Sequence, residues 1–377
     1  MTSLPVLLPV FGDARRIIIK IGSALLVDPA KAAPRMAWLE GIAEDIAALR
    51  ARGVEVIVVS SGAIALARRS LKLNQKKLKL EEKQAAAAVG QIRLAQAWAE
   101  VLGAHKLNAA QLLITLEDTE DRRRYLNARA TLTTLMGMGC IPVINENDSV
   151  ATAEIRFGDN DRLAARVAEM VQADQLLLLS DIDGLYTGDP KKDPTAKHIP
   201  VVEHMTAEIE AMGGEPPPGF SSGGMRTKLI AARIATGAGC AMLIGLGHVE
   251  RPLRALQNGA PCTWFLPSPE GRTARKRWIG GSLQPAGVLV VDDGAAKALT
   301  KGKSLLPAGV RELSGHFERG DAIEVRNEAG AVLARGLSAY SSEDAARIIG
   351  HQSSEIEALL GWRGRDEVIH RDDLVLL

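Results

Sequence analysis

One pattern constrains this chain more than any other. A short aliphatic run stops abruptly in a polar or glycine-containing loop, gives way to a helical stretch, and the unit then recurs. The runs fall at residues 17–21, 54–59, 141–144 and 175–179, with 241–244 as a fifth candidate. Their shortness and β-branching predict buried strands. Between them, Ile42, Ile46 and Leu49 recur at helical spacing within 36–52, and Leu163, Val167, Met170 and Val171 do so within 161–172. Strands alternating with helices imply a parallel sheet with right-handed crossovers. Apolar residues make up 46% of the chain and aromatics only 3%. The core must therefore be aliphatic, which suits strands buried on both faces.

In an open α/β sheet the ligand crevice lies beyond the carboxyl ends of the strands, so the residues that end each run are the candidates. Lys20 with Gly22-Ser23 closes the first run, Ser60-Ser61-Gly62 the second, Asn145-Glu146-Asn147-Asp148 the third and Ser180-Asp181 the fourth. A lysine ending an aliphatic strand is costly unless it meets an anion; the plainer reading is a strand-end lysine in solvent. Gly22 would let a phosphate approach, and Ser23 could donate to it. The small residues of 58–65 turn a strand directly into a helix and leave amides suited to a carboxylate or phosphate, although an ordinary tight turn has the same composition. The acidic-amide clusters at 145–148 and 157–161 would repel one another without a cation. A substrate ammonium, a metal ion or lysines could supply it; otherwise these are Asx-rich turns, with Asp161 capping its helix. Finally, Ser221-Ser222-Gly223-Gly224-Met225-Arg226-Thr227-Lys228 leads into a helical run at 229–235. A glycine-rich turn with a lysine at a helix start can cradle phosphate, and the alternative is a flexible loop.

Commoner signatures fail. Gly302-Lys303-Ser304 has Lys297 where a P-loop needs glycine, and Gly237 and Gly239 are followed by Met242 where a dinucleotide fingerprint needs a third glycine. The seven histidines are scattered without metalloprotease spacing, so no protein-held metal site is expected. Cys140, Cys240 and Cys262 form no C-x-x-C pair, which fits a reducing, cytoplasmic compartment. No apolar run reaches roughly 18 residues, so no membrane span is expected.

At 377 residues the chain suits two domains. Residues 1–14 read as a disordered or loosely docked extension: the apolar run lacks a basic start and is broken by prolines and Gly12. Residues 15–268 hold the strand and helix units. A linker at 269–286 carries Arg272, Arg275, Lys276, Arg277, Gly280, Gly281 and Pro285. Beyond it, short alternating runs at 288–291 and 322–325 predict a compact, mostly β domain over 287–371.

Taken together, K-I-G-S, S-S-G-A-I-A, I-N-E-N-D-S-V, F-G-D-N-D, L-L-S-D-I-D-G-L-Y and G-G-M-R-T-K, in that order, resemble the amino acid kinase family, and within it the members that phosphorylate the side-chain carboxylate of glutamate. The C-terminal stretches at 291–295 and 304–310, with Gly315-x-Phe317-x-x-Gly320-Asp321, resemble a PUA domain. The resemblance implies a three-layer αβα sandwich around a mainly parallel sheet, followed by a small, mostly β barrel. It also implies that Lys20 and Lys228 stabilise the phosphoryl group in flight, with Asp161 holding them in register. Ser61, Asp148 and Asn160 would bind glutamate, with Asn145 nearby. Lys20, Gly22, Ser23, Ser180, Asp181, Ser222, Gly223, Gly224, Met225, Arg226, Thr227 and Lys228 would contact ATP.

Further implications are ATP as co-substrate with Mg²⁺ on its phosphates, an acyl phosphate product at the first step of proline biosynthesis, hand-over to glutamate-5-phosphate reductase, and a homo-oligomer. Ser23 and Ser180 stand where threonine is expected, Arg226 where a small polar residue is common, and residues 72–83 hold five lysines. The nearest rival is another amino acid kinase with a different acceptor. RNA binding, which PUA domains often serve, is disfavoured by charge. Lys and Arg total 46 against 45 Asp and Glu overall, and residues 288–371 hold 11 against 13, a net of −2.

Overall fold

All five aliphatic runs form strands in the computed structural model, which describes residues 11–73, 78–150, 160–214, 224–268 and 285–377. Five expectations fall on residues outside that set: the extension up to residue 10, part of the lysine-rich stretch (74–77), Phe157-Gly158-Asp159, Ser222 and Gly223, and nearly all of the expected linker. The chain divides into two compact units, Met1–Gly271 and Arg272–Leu377.

Among the described residues the main sheet of the first unit has eight strands: β1 (Arg16–Ile21), β2 (Glu55–Ser60), β3 (Ala109–Ile114), β4 (Ile141–Glu146), β5 (Gln175–Ser180), β6 (Val201–Val202), β7 (Ala241–Leu246) and β8 (Cys262–Phe265). Their spatial order is β6-β8-β7-β5-β1-β2-β4-β3. Every neighbouring pair is parallel except β7 with β8. The chain moves outward from β1 through β2 to β4 and β3, then returns to the other side of β1 as β5 and β7. That reversal makes the carboxyl end of β1 the switch point at which such sheets bind ligands.

Six helices matter for the site: α1 (Met36–Ala51), α2 (Ala63–Ala67), α3 (Leu80–Gly103), α4 (Arg122–Gly137), α5 (Asn160–Val171) and α6 (Met225–Gly237). Strand periodicity divides the core between the two faces of the sheet. Ile17, Ile19, Ile21, Val56 and Val58 pack with Leu39, Ile42 and Ile46 of α1 and with Leu94 and Trp98 of α3. On the other face, Ile18, Ile57, Val59, Leu176 and Leu178 pack with Leu132 of α4, Leu163 and Val167 of α5, and Leu229 of α6. Covering both faces with helices gives the expected three layers. Burying each such side chain contributes about 1.5–3 kcal/mol, enough collectively to hold a few charged groups at the sheet edge.

Three strands of this sheet escaped the sequence reading. β3 is an edge strand whose six residues include two alanines and Gln111, and only Ile114 is fully buried. β6 has two residues and β8 four. Such segments lack the continuous aliphatic signal of a central strand. The N-terminal extension is tighter than expected where it is described: Phe11 is fully buried, and its amide donates to Gln175 Oε1 at 3.2 Å. Among the described residues no helix is long and apolar enough to cross a membrane.

The second unit holds a five-stranded sheet of β9 (Gly287–Val291), β10 (Val310–Gly315), β11 (Ala322–Asn327), β12 (Val332–Leu337) and β13 (Leu374–Leu376), in the order β10-β9-β11-β12-β13. Only β9 with β11 is parallel. Leu289, Val291, Ile323 and Val325 build its core with Phe317, Tyr340 and Ile348. Buried Glu324 is held by Arg326 at 2.7 Å and Arg335 at 3.3 Å.

Candidate active site

The end of β1 decides the geometry. Lys20 has the strand parity of Ile18, so its side chain points to the face covered by α5 and α6. Asp161 stands in the first turn of α5 and Lys228 in the first turn of α6. The three side chains meet. Lys20 Nζ lies 2.5 Å from Asp161 Oδ1, and Lys228 Nζ lies 3.1 Å from Asp161 Oδ2. Thr227 Oγ1 also donates to Asp161 Oδ2, at 2.8 Å. Two ammonium groups far apart in sequence thus share one carboxylate. All three residues are buried, with exposures of 9% for Lys20, 8% for Lys228 and 2% for Asp161. Burial alone would raise the Asp161 carboxyl, but the two lysines and the Lys20 and Thr227 hydrogen bonds more than reverse this and hold it well below the usual carboxylate range.

The triad carries one surplus positive charge. Placing it in a closed sheet end is costly unless an anion completes the set. Gly22 leaves the room: a Cβ there would lie 3.9 Å from Lys20 Nζ and meet nothing nearer. Its backbone is extended at φ −77°, so space beside the amine, not backbone freedom, is what the missing side chain provides.

A second cluster adjoins the first through the neighbouring residue on α5. Asn160 Nδ2 donates to Ser61 Oγ at 2.5 Å and to Asn145 Oδ1 at 3.3 Å. Asn145 is the penultimate residue of β4, and Ser61 follows the last residue of β2. Gly62 beside it sits at φ +119°, a left-handed conformation that carries the chain straight from β2 into α2. Asn160 Oδ1 is buried and has no hydrogen-bond partner among the described residues.

Asp148 stands a little apart. It lines a cavity of about 240 Å³ with Gln91, Ile92, Gln111, Glu146 and Asn147. Burial pushes its carboxyl up to about 6, opposed in part by Lys83. Ser180 is buried at the end of β5, with its hydroxyl 3.1 Å from Asp181 Oδ1. Ser23, Asp181, Gly224 and Arg226 are exposed, and Met225 is half-buried.

The sequence reading missed a helix that braces these clusters. α3 lies against α2 and the ends of β2 and β4. Its Trp98 Nε1 donates to Ser60 Oγ at 3.0 Å, and its Gln91 Oε1 accepts from Asn145 Nδ2 at 2.8 Å. A Cβ on Gly90 would fall 1.7 Å from Ala63 O, so only glycine permits this crossing. The one signal in the sequence is a glycine inside the alanine-rich helical stretch of 85–90.

Among the described residues no group of three or more His, Cys, Asp or Glu side chains assembles that could hold a metal ion.

Comparison with known proteins is consistent across the chain. Residues 15–245 match the model described as "Amino acid kinase family", and residues 287–360 match the PUA domain. A protein named glutamate 5-kinase from Gluconobacter oxydans is 63% identical over 99% of this chain and 98% of its own. Another so named, from Paramagnetospirillum magneticum, is 62% identical over 96% of this chain and 98% of its own. A third, from Paracoccus denitrificans, is 58% identical over 98% and 99%.

Proposed function

The chain belongs to the amino acid kinase family, and from that premise we infer that it transfers the γ-phosphoryl group of ATP to the side-chain carboxylate of L-glutamate. The products are L-glutamyl 5-phosphate and ADP, and the reaction is the first step of proline biosynthesis. One observation carries the reading most: the buried Lys20–Asp161–Lys228 triad, whose surplus positive charge calls for an anion.

A carboxylate acceptor is already ionised near neutral pH, so no general base is required. The difficulty is to bring two anions together, and catalysis rests on positioning and charge neutralisation. Lys20 comes from the sheet and Lys228 from α6, and Asp161 fixes the spacing between their amines. Both ammonium groups can then follow the charge on the transferring group. ATP would lie along Gly22, Ser23, Ser180, Asp181 and residues 222–228. Mg²⁺ bound to its phosphates would neutralise further charge there.

Ser61, Asn145 and Asn160 would orient glutamate, with Asp148 accepting from its α-ammonium. An N-acetylated substrate lacks that charge and would leave the part-buried Asp148 carboxylate without that partner, a costly defect. The acyl phosphate product is reactive toward water, so a reductase that consumes glutamyl 5-phosphate would be the natural recipient. None of Cys140, Cys240 and Cys262 is joined in a disulfide, and we read the setting as reducing and cytoplasmic.

The test is an ADP-release assay with ATP and Mg²⁺, comparing free L-glutamate, N-acetyl-L-glutamate, UMP and no acceptor. Release stimulated by free glutamate alone is expected. Equal rates with N-acetylglutamate would remove Asp148 from its role, and stimulation by UMP alone would replace the acceptor.

A further inference from the structure

We propose that Gln91 is a positioning residue: it sets the hydrogen-bond polarity of the Ser61–Asn145–Asn160 cluster and thereby its preference for a free α-amino acid. This rests on reading that cluster as the glutamate site. Gln91 acts through its hydrogen bond with Asn145.

An amide has one accepting and one donating end, so a row of amides has a direction. Gln91 Oε1 accepts from Asn145 Nδ2, which commits the donating end of Asn145 to α3. Asn145 is left to present Oδ1, and that oxygen accepts from Asn160 Nδ2. The same Nδ2 also donates to Ser61 Oγ. Two consequences follow at the far end. Asn160 Oδ1 has no partner among the described residues and can accept. The Ser61 oxygen is already accepting, so its proton is free to be donated. The row therefore ends in an acceptor and a donor side by side. A free α-amino acid matches both, with an ammonium to give and a carboxylate to receive.

With no acceptor at position 91, Asn145 can turn. Its Nδ2 would then face Asn160 Nδ2, and Asn160 could relieve that clash only by turning as well. The substrate ammonium would meet a second donor. Gln91 is held in place for its task from below. Gly90 lets α3 rest directly on the Ala63 backbone, which brings position 91 to the end of β4. Gln91 also lines the cavity that holds Asp148, so one side chain borders both halves of the proposed site.

The experiment compares wild type, Gln91→Met and Gln91→Glu in the full chain. Methionine keeps the length and removes the acceptor, whereas a carboxylate can only accept. Because Gln91 is half-buried, both variants should fold, and thermal melts without ligand check this. KM for L-glutamate and KM for ATP are measured separately, together with the melting shift produced by glutamate alone. Gln91→Met should raise the glutamate KM by about 10-fold or more, abolish the glutamate-induced shift, and leave the ATP KM within about twofold. Gln91→Glu should recover most of that loss. The proposal is overturned if Gln91→Met leaves the glutamate KM within about twofold of wild type, if both KM values rise together, or if Gln91→Glu is as impaired as Gln91→Met. A wild-type protein showing no glutamate-dependent ADP release would instead overturn the kinase reading itself, and this one with it.

Discussion

Replacing Asp148 with asparagine should stabilise the free protein while impairing it as an enzyme. In the folded state burial raises the Asp148 carboxyl from 3.8 to about 6. The folded protein therefore holds that proton more tightly than the unfolded chain does, and ionising Asp148 costs stability as the pH rises. A shift of roughly two units corresponds to at most about 3 kcal/mol. The side chain is only part-buried beside its cavity, so solvent screening reduces this to about 1–2 kcal/mol. For a unit of this size the gain in Tm would be about 3–6 °C. The penalty is full above pH 6, shrinks as the pH falls, and is absent below the unfolded value of 3.8. Melts of wild type and Asp148→Asn at pH 7.5 and at pH 4 therefore give a clear difference at the first pH and only a small remnant of it at the second. In the same variant, the glutamate KM should rise about 30-fold or more, since a charged hydrogen bond to the α-ammonium is lost. A variant that melts lower than wild type at pH 7.5, or that keeps the wild-type glutamate KM, would refute the account of Asp148 as a carboxylate kept waiting for a cation.

Two further substitutions probe the framework. Asp161→Asn leaves two buried lysines without their shared counter-charge, and should cost about 3–5 kcal/mol in chemical denaturation of the first unit. Gly90→Ala places a methyl group against the Ala63 backbone. It should destabilise by about 1–3 kcal/mol and raise the glutamate KM more than the ATP KM, as α3 is pushed from β4.

Much of the fold was legible because the central strands are buried on both faces. Ile17–Ile21 and the runs like it have no polar alternation to confuse them, and each strand ends where its polar cluster begins. The switch point followed from those ends, and with it the convergence of Lys20, Ser61 and Asn145 on one edge. Lys228 and Asp161 were legible as motif residues, but their shared contact came only as an implication of the family resemblance and not from local pattern. It depends on the strand parity of Lys20 and on α5 and α6 packing side by side, which is tertiary information. β3 stayed hidden because an edge strand need not be aliphatic, and Ala109, Ala110 and Gln111 read equally well as loop. Gln91 was hidden for a different reason. A glutamine on a long helix is ordinarily a surface residue, and nothing local marks it until Asn145 is seen beside it.

The central claim is that two amines sharing the Asp161 carboxylate carry the phosphoryl group to an acid. Hydroxylamine trapping of the acyl phosphate tests it most directly, with ATP, Mg²⁺ and saturating L-glutamate, for wild type and Lys228→Ala. The account predicts γ-glutamyl hydroxamate from wild type, and from the folded variant a rate lower by about 100-fold or more. Hydroxamate formed at a near-normal rate by Lys228→Ala, or none formed by wild type, would contradict it.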